Sequence, residues 1–248
     1  GKVFVLEANP RASRTVPLVS KVCNIRMVPL ATDIVTSEIT GRPSPLKELK
    51  EQDIPYYGVK EAAFPFNMFP EVDPVLGPEM RSTGEVLGLS KSYGEAFFKA
   101  QEAIQSKLPL EGCVLISVNN KDKEEMIPIA KSLSDDGFRI IATSGNHDVL
   151  SKAGIPSEKV NKLYEGRPNV YDMITNGEVQ LIVNSPIGKV EAARDDSYLR
   201  KAAIKAKVPY ITTVAAARAT AEGIHYIKTH TEGEVKSLQE IHAQIKDK

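Results

Sequence analysis

Beyond about residue 110 the chain alternates with regularity between short apolar runs and amphipathic stretches, and this constrains the fold more than any other feature. The runs cover 114–118, 138–143, 160–164, 179–184 and 210–214. Between them the spacing predicts helices. One covers 123–133, capped by Asp122, with Met126, Ile129, Ala130 and Leu133 apolar at helical intervals. Others cover 146–153, ended by Gly154; a stretch from the cap Asn169 to Ile174, ended by Gly177; then 197–206, 215–222 and a closing helix over 237–245. Strands alternating with helices through short links predict a parallel sheet covered by helices.

A parallel sheet binds ligands outside the carboxyl ends of its strands. Just past the first run stand Asn119, Asn120 and Lys123, the last at a helix start. After Ile141 in the second come Thr143, Ser144, Gly145 and Asn146. Lys162 lies in or just after the third, and Asn184 and Ser185 follow the fourth. Ammonium groups, hydroxyls, amides and helix N-termini suit a phosphate carrying a polar body. Apart from His147, no carboxylate or histidine is placed among them for proton transfer, which favours a binding pocket over a catalytic one. Each residue also has a plainer reading: a lysine opening a helix is usually solvated, Thr-Ser-Gly is an ordinary capping turn, and Asn184-Ser185-Pro186 is an ordinary turn. Their common placement at one sheet edge keeps the binding reading open. His147, His225, His230 and His242 have no metal-ligand spacing.

The first part of the chain is irregular and proline-rich. Residues 3–7 read as a buried strand leading into Glu7-Ala8-Asn9-Pro10-Arg11-Ala12-Ser13-Arg14. In a strand, Glu7, Asn9 and Arg11 share a face. Two oxygen ligands followed by a cation suit a hard metal bound with a polyphosphate, and so ATP chemistry. The motif sits too close to residue 1 for a nucleotide domain to precede it. Arg11 and Arg14 have an alternative as structural ion-pair partners. Helices are predicted over 15–22 and 29–40, stopped at Gly41-Arg42-Pro43; a weak strand over 56–66; a loop over 66–78, with Pro70, Pro74 and Pro78; a strand over 83–89; and a helix over 92–106. The domain boundary falls between 1–107 and 108–248.

The balance of 32 basic and 32 acidic side chains argues against general nucleic-acid binding. No apolar stretch approaches the roughly 20 residues that span a bilayer, and the opening residues lack the layout of a secretory signal. Cys23 and Cys113 lie in apolar surroundings without ligand spacing and read as inert thiols. A cytoplasmic protein fits. The chain opens on Gly1 rather than Met, which with the opening motif suggests a segment of something longer. There is no G-x-G-x-x-G, P-loop, H-E-x-x-H or nucleophile elbow.

The opening motif, Tyr57-Gly58-Val59-Lys60-Glu61 with Phe64-Pro65-Phe66, the run Asp73-Pro74-Val75-Leu76-Gly77-Pro78-Glu79-Met80-Arg81-Ser82-Thr83-Gly84-Glu85, then Glu165-Gly166-Arg167-Pro168 and Glu240-Ile241-His242-Ala243-Gln244 carry a resemblance over essentially the whole chain. The sequence resembles the end of the second ATP-grasp half of carbamoyl phosphate synthase large subunits. The resemblance implies an α/β chain: a partial ATP-grasp α+β segment, then a parallel-sheet regulatory domain similar to methylglyoxal synthase. It implies a ligase that phosphorylates carbamate with ATP for pyrimidine and arginine biosynthesis, with Mg2+ (or Mn2+) on Glu7 and Asn9, Arg11 on the triphosphate and Arg14 in support. It implies effector contacts at Lys123, Thr143, Asn146, Lys162 and Asn184 for a nucleotide (UMP or IMP), and at Tyr210 and Thr212 for ornithine. Its partners would be the remainder of the large subunit and a glutaminase small subunit, in an oligomer, with no nucleic acid and no membrane. The phosphate cradle and most carboxylate ligands would lie upstream, so this chain alone would be inactive. Two positions depart from the enteric pattern: Asn146 and Pro186 stand where threonines meet the nucleotide. Two further readings are a stand-alone ligand-binding regulatory module and a small enzyme of the methylglyoxal synthase type. The last is disfavoured because Asp148 and Asp172 fall within predicted helices.

Overall fold

The computed structural model describes residues 3–5, 8, 11, 13–48, 50–69, 79–185, 190–230 and 235–247. The elements in chain order are α1 (Thr15–Cys23), α2 (Met27–Thr40), β1 (Gln52–Asp53), β2 (Tyr57–Ala63), β3 (Gly84–Ser90), α3 (Tyr93–Ala103), β4 (Cys113–Ser117), α4 (Lys123–Asp135), β5 (Arg139–Thr143), α5 (Ser144–Lys152), β6 (Glu158–Val160), α6 (Val170–Thr175), β7 (Leu181–Asn184), α7 (Val190–Ala206), β8 (Tyr210–Ile211), α8 (Val214–Thr229), α9 (Leu238–His242) and β9 (Lys246–Asp247). They fall into two compact units, Gly1–Tyr57 with Glu234–Lys248, and Gly58–Gly233. This division by packing differs from the 107/108 boundary, which is read from the change of sequence pattern along the chain.

In the first unit, α1 and α2 end where the sequence places stop signals: Asn24 and Gly41 take the left-handed conformation, and the Gly41 N–H bonds back to Ser37 O. The two-residue strands β1 and β9 pair antiparallel. Tyr56 donates its hydroxyl to Val22 O at 2.6 Å. Among the described residues of this unit only Tyr56 and Ser37 are buried. The strand expected at 3–7 is corrected by its described part: Val3, Phe4 and Val5 belong to no strand and are 94%, 76% and 87% exposed. No described strand pairs with them, and an unpaired segment leaves its backbone groups without ladder partners.

The second unit holds a five-stranded parallel sheet in the order β6-β5-β4-β7-β8. Successive side chains alternate between its faces. Val114, Ile116, Ile140, Ala142, Leu181, Val183 and Ile211 face α3, α4, α5 and α8 in one core cluster. Cys113, Leu115, Ile141, Val160 and Ile182 pack with Val170 and Ile174 of α6 and with Leu199, Ala202 and Ala203 of α7 in another. Strands buried on both faces read as continuous apolar runs, which is how they appear in the sequence. Burial pushes the Cys113 thiol up to about 11, so it is inert at neutral pH.

Several boundaries move. The strand expected at 160–164 is Glu158–Val160, because pairing with β5 starts at Glu158 and the chain turns away after Asn161. The helix expected at 197–206 starts at Val190, ahead of the helix-favouring Glu-Ala-Ala-Arg. The helix expected at 215–222 runs to Thr229, through Gly223. That glycine permits a close crossing rather than a stop: a Cβ there would lie 2.7 Å from Gly94 O of α3. The closing helix expected at 237–245 is α9, with a Ser237–Glu240 capping box, followed by β9.

Candidate functional site

The chain leaves β4 through α4 on one face of the sheet and leaves β7 for α7 on the other. Such a reversal opens a crevice outside the carboxyl ends of these two strands. Register sets Thr143 beside Val160 and Ser117 beside Asn184, and Ser117 and Thr143 approach to 3.4 Å between hydroxyl oxygens. The sheet's apolar rows therefore end in a row of hydroxyls and an amide. Thr143 and Asn184 are buried. Buried polar groups cost stability unless they are hydrogen-bonded, and these are. The Thr143 hydroxyl accepts from Asn146 Nδ2 at 3.0 Å, and Asn184 Nδ2 donates to the Tyr210 hydroxyl at 2.5 Å.

Asn146 is engaged on all sides. Its Nδ2 also donates to Val118 O at 3.1 Å, and its Oδ1 accepts from Val118 N at 3.4 Å. Asn146 thus ties α5 to the end of β4. Asp122 precedes α4 as expected, but its side chain does not cap the helix: Asp122 Oδ2 accepts from Asn119 Nδ2 at 2.6 Å instead.

Lys123 opens α4 and reaches α5. A Cβ at Gly145, in the first turn of α5, would meet Lys123 Nζ at 2.7 Å. Among the described residues Lys123 has no ion-pair partner. An ammonium held against a helix N-terminus meets like charge, because the free N–H groups there carry the positive end of the helix dipole. An anion placed between them relieves that repulsion, so the arrangement has the electrostatics of an anion site.

The other expected site residues are more scattered. Lys162 is exposed past the edge strand β6, its backbone N–H bonded to Glu165 Oε2 at 2.9 Å. Thr212 is half-buried just after β8. The Arg200 guanidinium lies over the Tyr210 ring, 5.4 Å from its centroid. Arg11 and Arg14 belong to the first unit and are exposed; Glu7, Asn9 and Pro186 lie outside the described residues. Asp148 is exposed on α5, while Asp172 is held by the Asn169 N–H in a capping box and by Arg167 at 3.1 Å. Among the described residues no His, Cys, Asp and Glu side chains gather as a metal site, and no helix is long and apolar enough to cross a membrane.

Gly145, Asn119 and Ser185 stand in the set read from the sequence at the strand ends, but without a contact of their own assigned there. Ser185 Oγ accepts from Asn119 N at 2.9 Å and from Asn119 Nδ2 at 3.0 Å, across the crevice mouth. The available signal was position: both residues stand directly beyond the ends of the two central strands.

A profile of the MGS-like domain family matches residues 125–212. The carbamoyl phosphate synthase large chain, C-terminal section, of Methanopyrus kandleri is 48% identical over 233 residues, 92% of this chain and 42% of that protein. The carbamoyl phosphate synthase large chain of Acidobacterium capsulatum is 47% identical over 226 residues, 90% of this chain and 21% of that protein. The chain therefore spans less than half the length of either relative. Among solved structures, methylglyoxal synthase of Elizabethkingia anophelis NUHP1 aligns with a TM-score of 0.37 at 14% identity, over 44% of this chain and 76% of that one. With an MGS-like domain and relatives near 48% identity over nine tenths of its length, the chain belongs to the carbamoyl phosphate synthase large-chain family, where it corresponds to the C-terminal section.

Proposed function

We propose that this chain supplies the C-terminal part of a carbamoyl phosphate synthase large subunit, and that its parallel-sheet domain is an effector sensor for a nucleoside monophosphate. The observation that carries the sensor reading is the Lys123 ammonium, without an ion-pair partner among the described residues, set against Gly145 at the N-terminus of α5. The effector phosphate would lie there, with Lys162, Thr143, Asn146 and Asn184 around it and Tyr210 and Thr212 serving ornithine. In the whole enzyme, a cytoplasmic ligase of pyrimidine and arginine biosynthesis, carbamate is phosphorylated by ATP. Magnesium would supply charge neutralisation for the transferring phosphoryl group. Glu7 and Asn9 are oxygen donors of the kind a hard cation takes. Arg11 would bind the triphosphate and Arg14 support it. The rest of the large subunit and a glutaminase subunit are the partners, and this chain alone has no synthetase activity.

A stand-alone regulatory module is the second reading, supported by the pocket's construction wholly within Gly58–Gly233. The mass of the native gene product separates the two. For the sensor, calorimetric titration with UMP and IMP should show binding of at least one. Lys123→Ala should weaken it by about tenfold or more, as expected for a charge-assisted contact. No heat with either nucleotide, or an unchanged affinity in Lys123→Ala, ends the sensor reading.

A further inference from the structure

The position of Lys123 depends on the five residues that lead from β4 into α4, and these are held from both sides. On the β5 side, the Asn146 amide brackets Val118 through its backbone N–H and C=O. On the β7 side, the buried Ser185 accepts both the backbone N–H and the side-chain amide of Asn119. Asn119 in turn organises the turn into α4. Its Oδ1 accepts from Lys121 N at 2.8 Å, and its Nδ2 holds the Asp122 carboxylate at 2.6 Å. That last contact matters electrostatically. Asp122 adjoins Lys123 and stands at the cap position of α4, where a carboxylate ordinarily closes over the first turn. Turned toward Asn119, it leaves that turn without a side-chain cap.

We infer that Ser185 and Asn119 are positioning residues for anion recognition by Lys123: their clasp across the crevice fixes the loop before α4 and keeps the Asp122 carboxylate away from the helix N-terminus and the ammonium beside it. The inference rests on the phosphate-site reading above and extends it to two residues that need not touch the ligand. A side chain that acts through another must be measured through that other. Losing the clasp frees a loop and releases a competing carboxylate, so the cost falls on anion affinity.

The test titrates the full chain with UMP, IMP and inorganic phosphate by calorimetry. Ser185→Ala should weaken phosphate-dependent binding by about tenfold, the equivalent of one net hydrogen bond to a charged arrangement. Ser185→Thr, which keeps the acceptor, should restore most of it. In a Lys123→Ala background, Ser185→Ala should add no further loss, a coupling that a general loosening of the fold would not produce. Should Ser185→Ala fail to fold, Asn119→Ala carries the same expectation. Wild-type affinity in Ser185→Ala, or an equal loss with and without Lys123, overturns the inference while leaving the sensor reading intact. A wild-type chain that binds none of the three probes overturns both.

Discussion

In Gly58–Gly233, the three inner strands β5, β4 and β7 are sealed on both faces, with Leu115, Ile116, Ile141, Leu181 and Ile182 at 0–1% exposure. In Gly1–Tyr57 with Glu234–Lys248, the described residues bury only Tyr56 and Ser37, while Val28, Val35 and Ile39 line one face of α2 at 62%, 56% and 78% exposure. Helix stops at Asn24 and Gly41, a capping box at Ser237 and a two-residue strand pair give the first unit its shape. Each such feature contributes about 1 kcal/mol or less. The contrast teaches that regular secondary structure and a core are separate achievements. Local signals suffice for the first, but only the apolar alternation of β4–β8 supplies the second.

The comparison is broken most severely by carving the core. Leu115→Ala should cost about 2–5 kcal/mol in denaturant unfolding of the second unit, whereas Ile39→Ala on the exposed α2 face should stay within about 0.5 kcal/mol. Equal losses would mean that the α2 stripe is as well packed as the sheet. Next in size is Gly223→Ala. The added methyl would meet Gly94 O at 2.7 Å where α3 crosses α8, so overpacking should cost about 1–3 kcal/mol, read as a lower midpoint. A neutral result would mean that the helices separate freely.

A smaller effect is acid sensitivity. Burial alone would push the Glu95 carboxyl up, but the Lys99 ammonium at 2.7 Å and the hydroxyls of Ser90 and Tyr226 hold it below its ordinary 4.5. A carboxyl depressed in the folded state stabilises fully above its unfolded value, and that contribution disappears as pH falls through the folded value. Urea midpoints should therefore fall as pH drops below about 4.5, and Glu95→Gln should flatten that decline. An identical acid limb in the variant would remove Glu95 from the account.

Much of the second unit is legible in the sequence, because burial on both faces forces continuous apolar runs and each helix stop has its own residue, as at Gly154 and Gly177. What escaped was decided by partners distant in sequence. The start of β6 is set by pairing with Ile141, and the length of α8 by a crossing at Gly94. The strand expected at 3–7 shows the opposite failure: an apolar pattern at Val3, Phe4 and Val5 with no partner strand among the described residues. At the site, Lys123, Thr143, Asn184, Asn119 and Ser185 are all legible as residues at strand ends, but the clasp between Asn119 and Ser185 is not, because a hydrogen bond between residues 66 apart in sequence leaves no local trace.

Phosphate recognition by Lys123 over the start of α5 is tested most directly by the phosphorus NMR signal of UMP titrated with the chain and with its Lys123→Ala and Gly145→Ala variants. The account predicts a saturable shift with the wild type, nearly abolished in Lys123→Ala and weakened in Gly145→Ala, where the new methyl displaces the ammonium. A shift of the same size and saturation in all three proteins would contradict it.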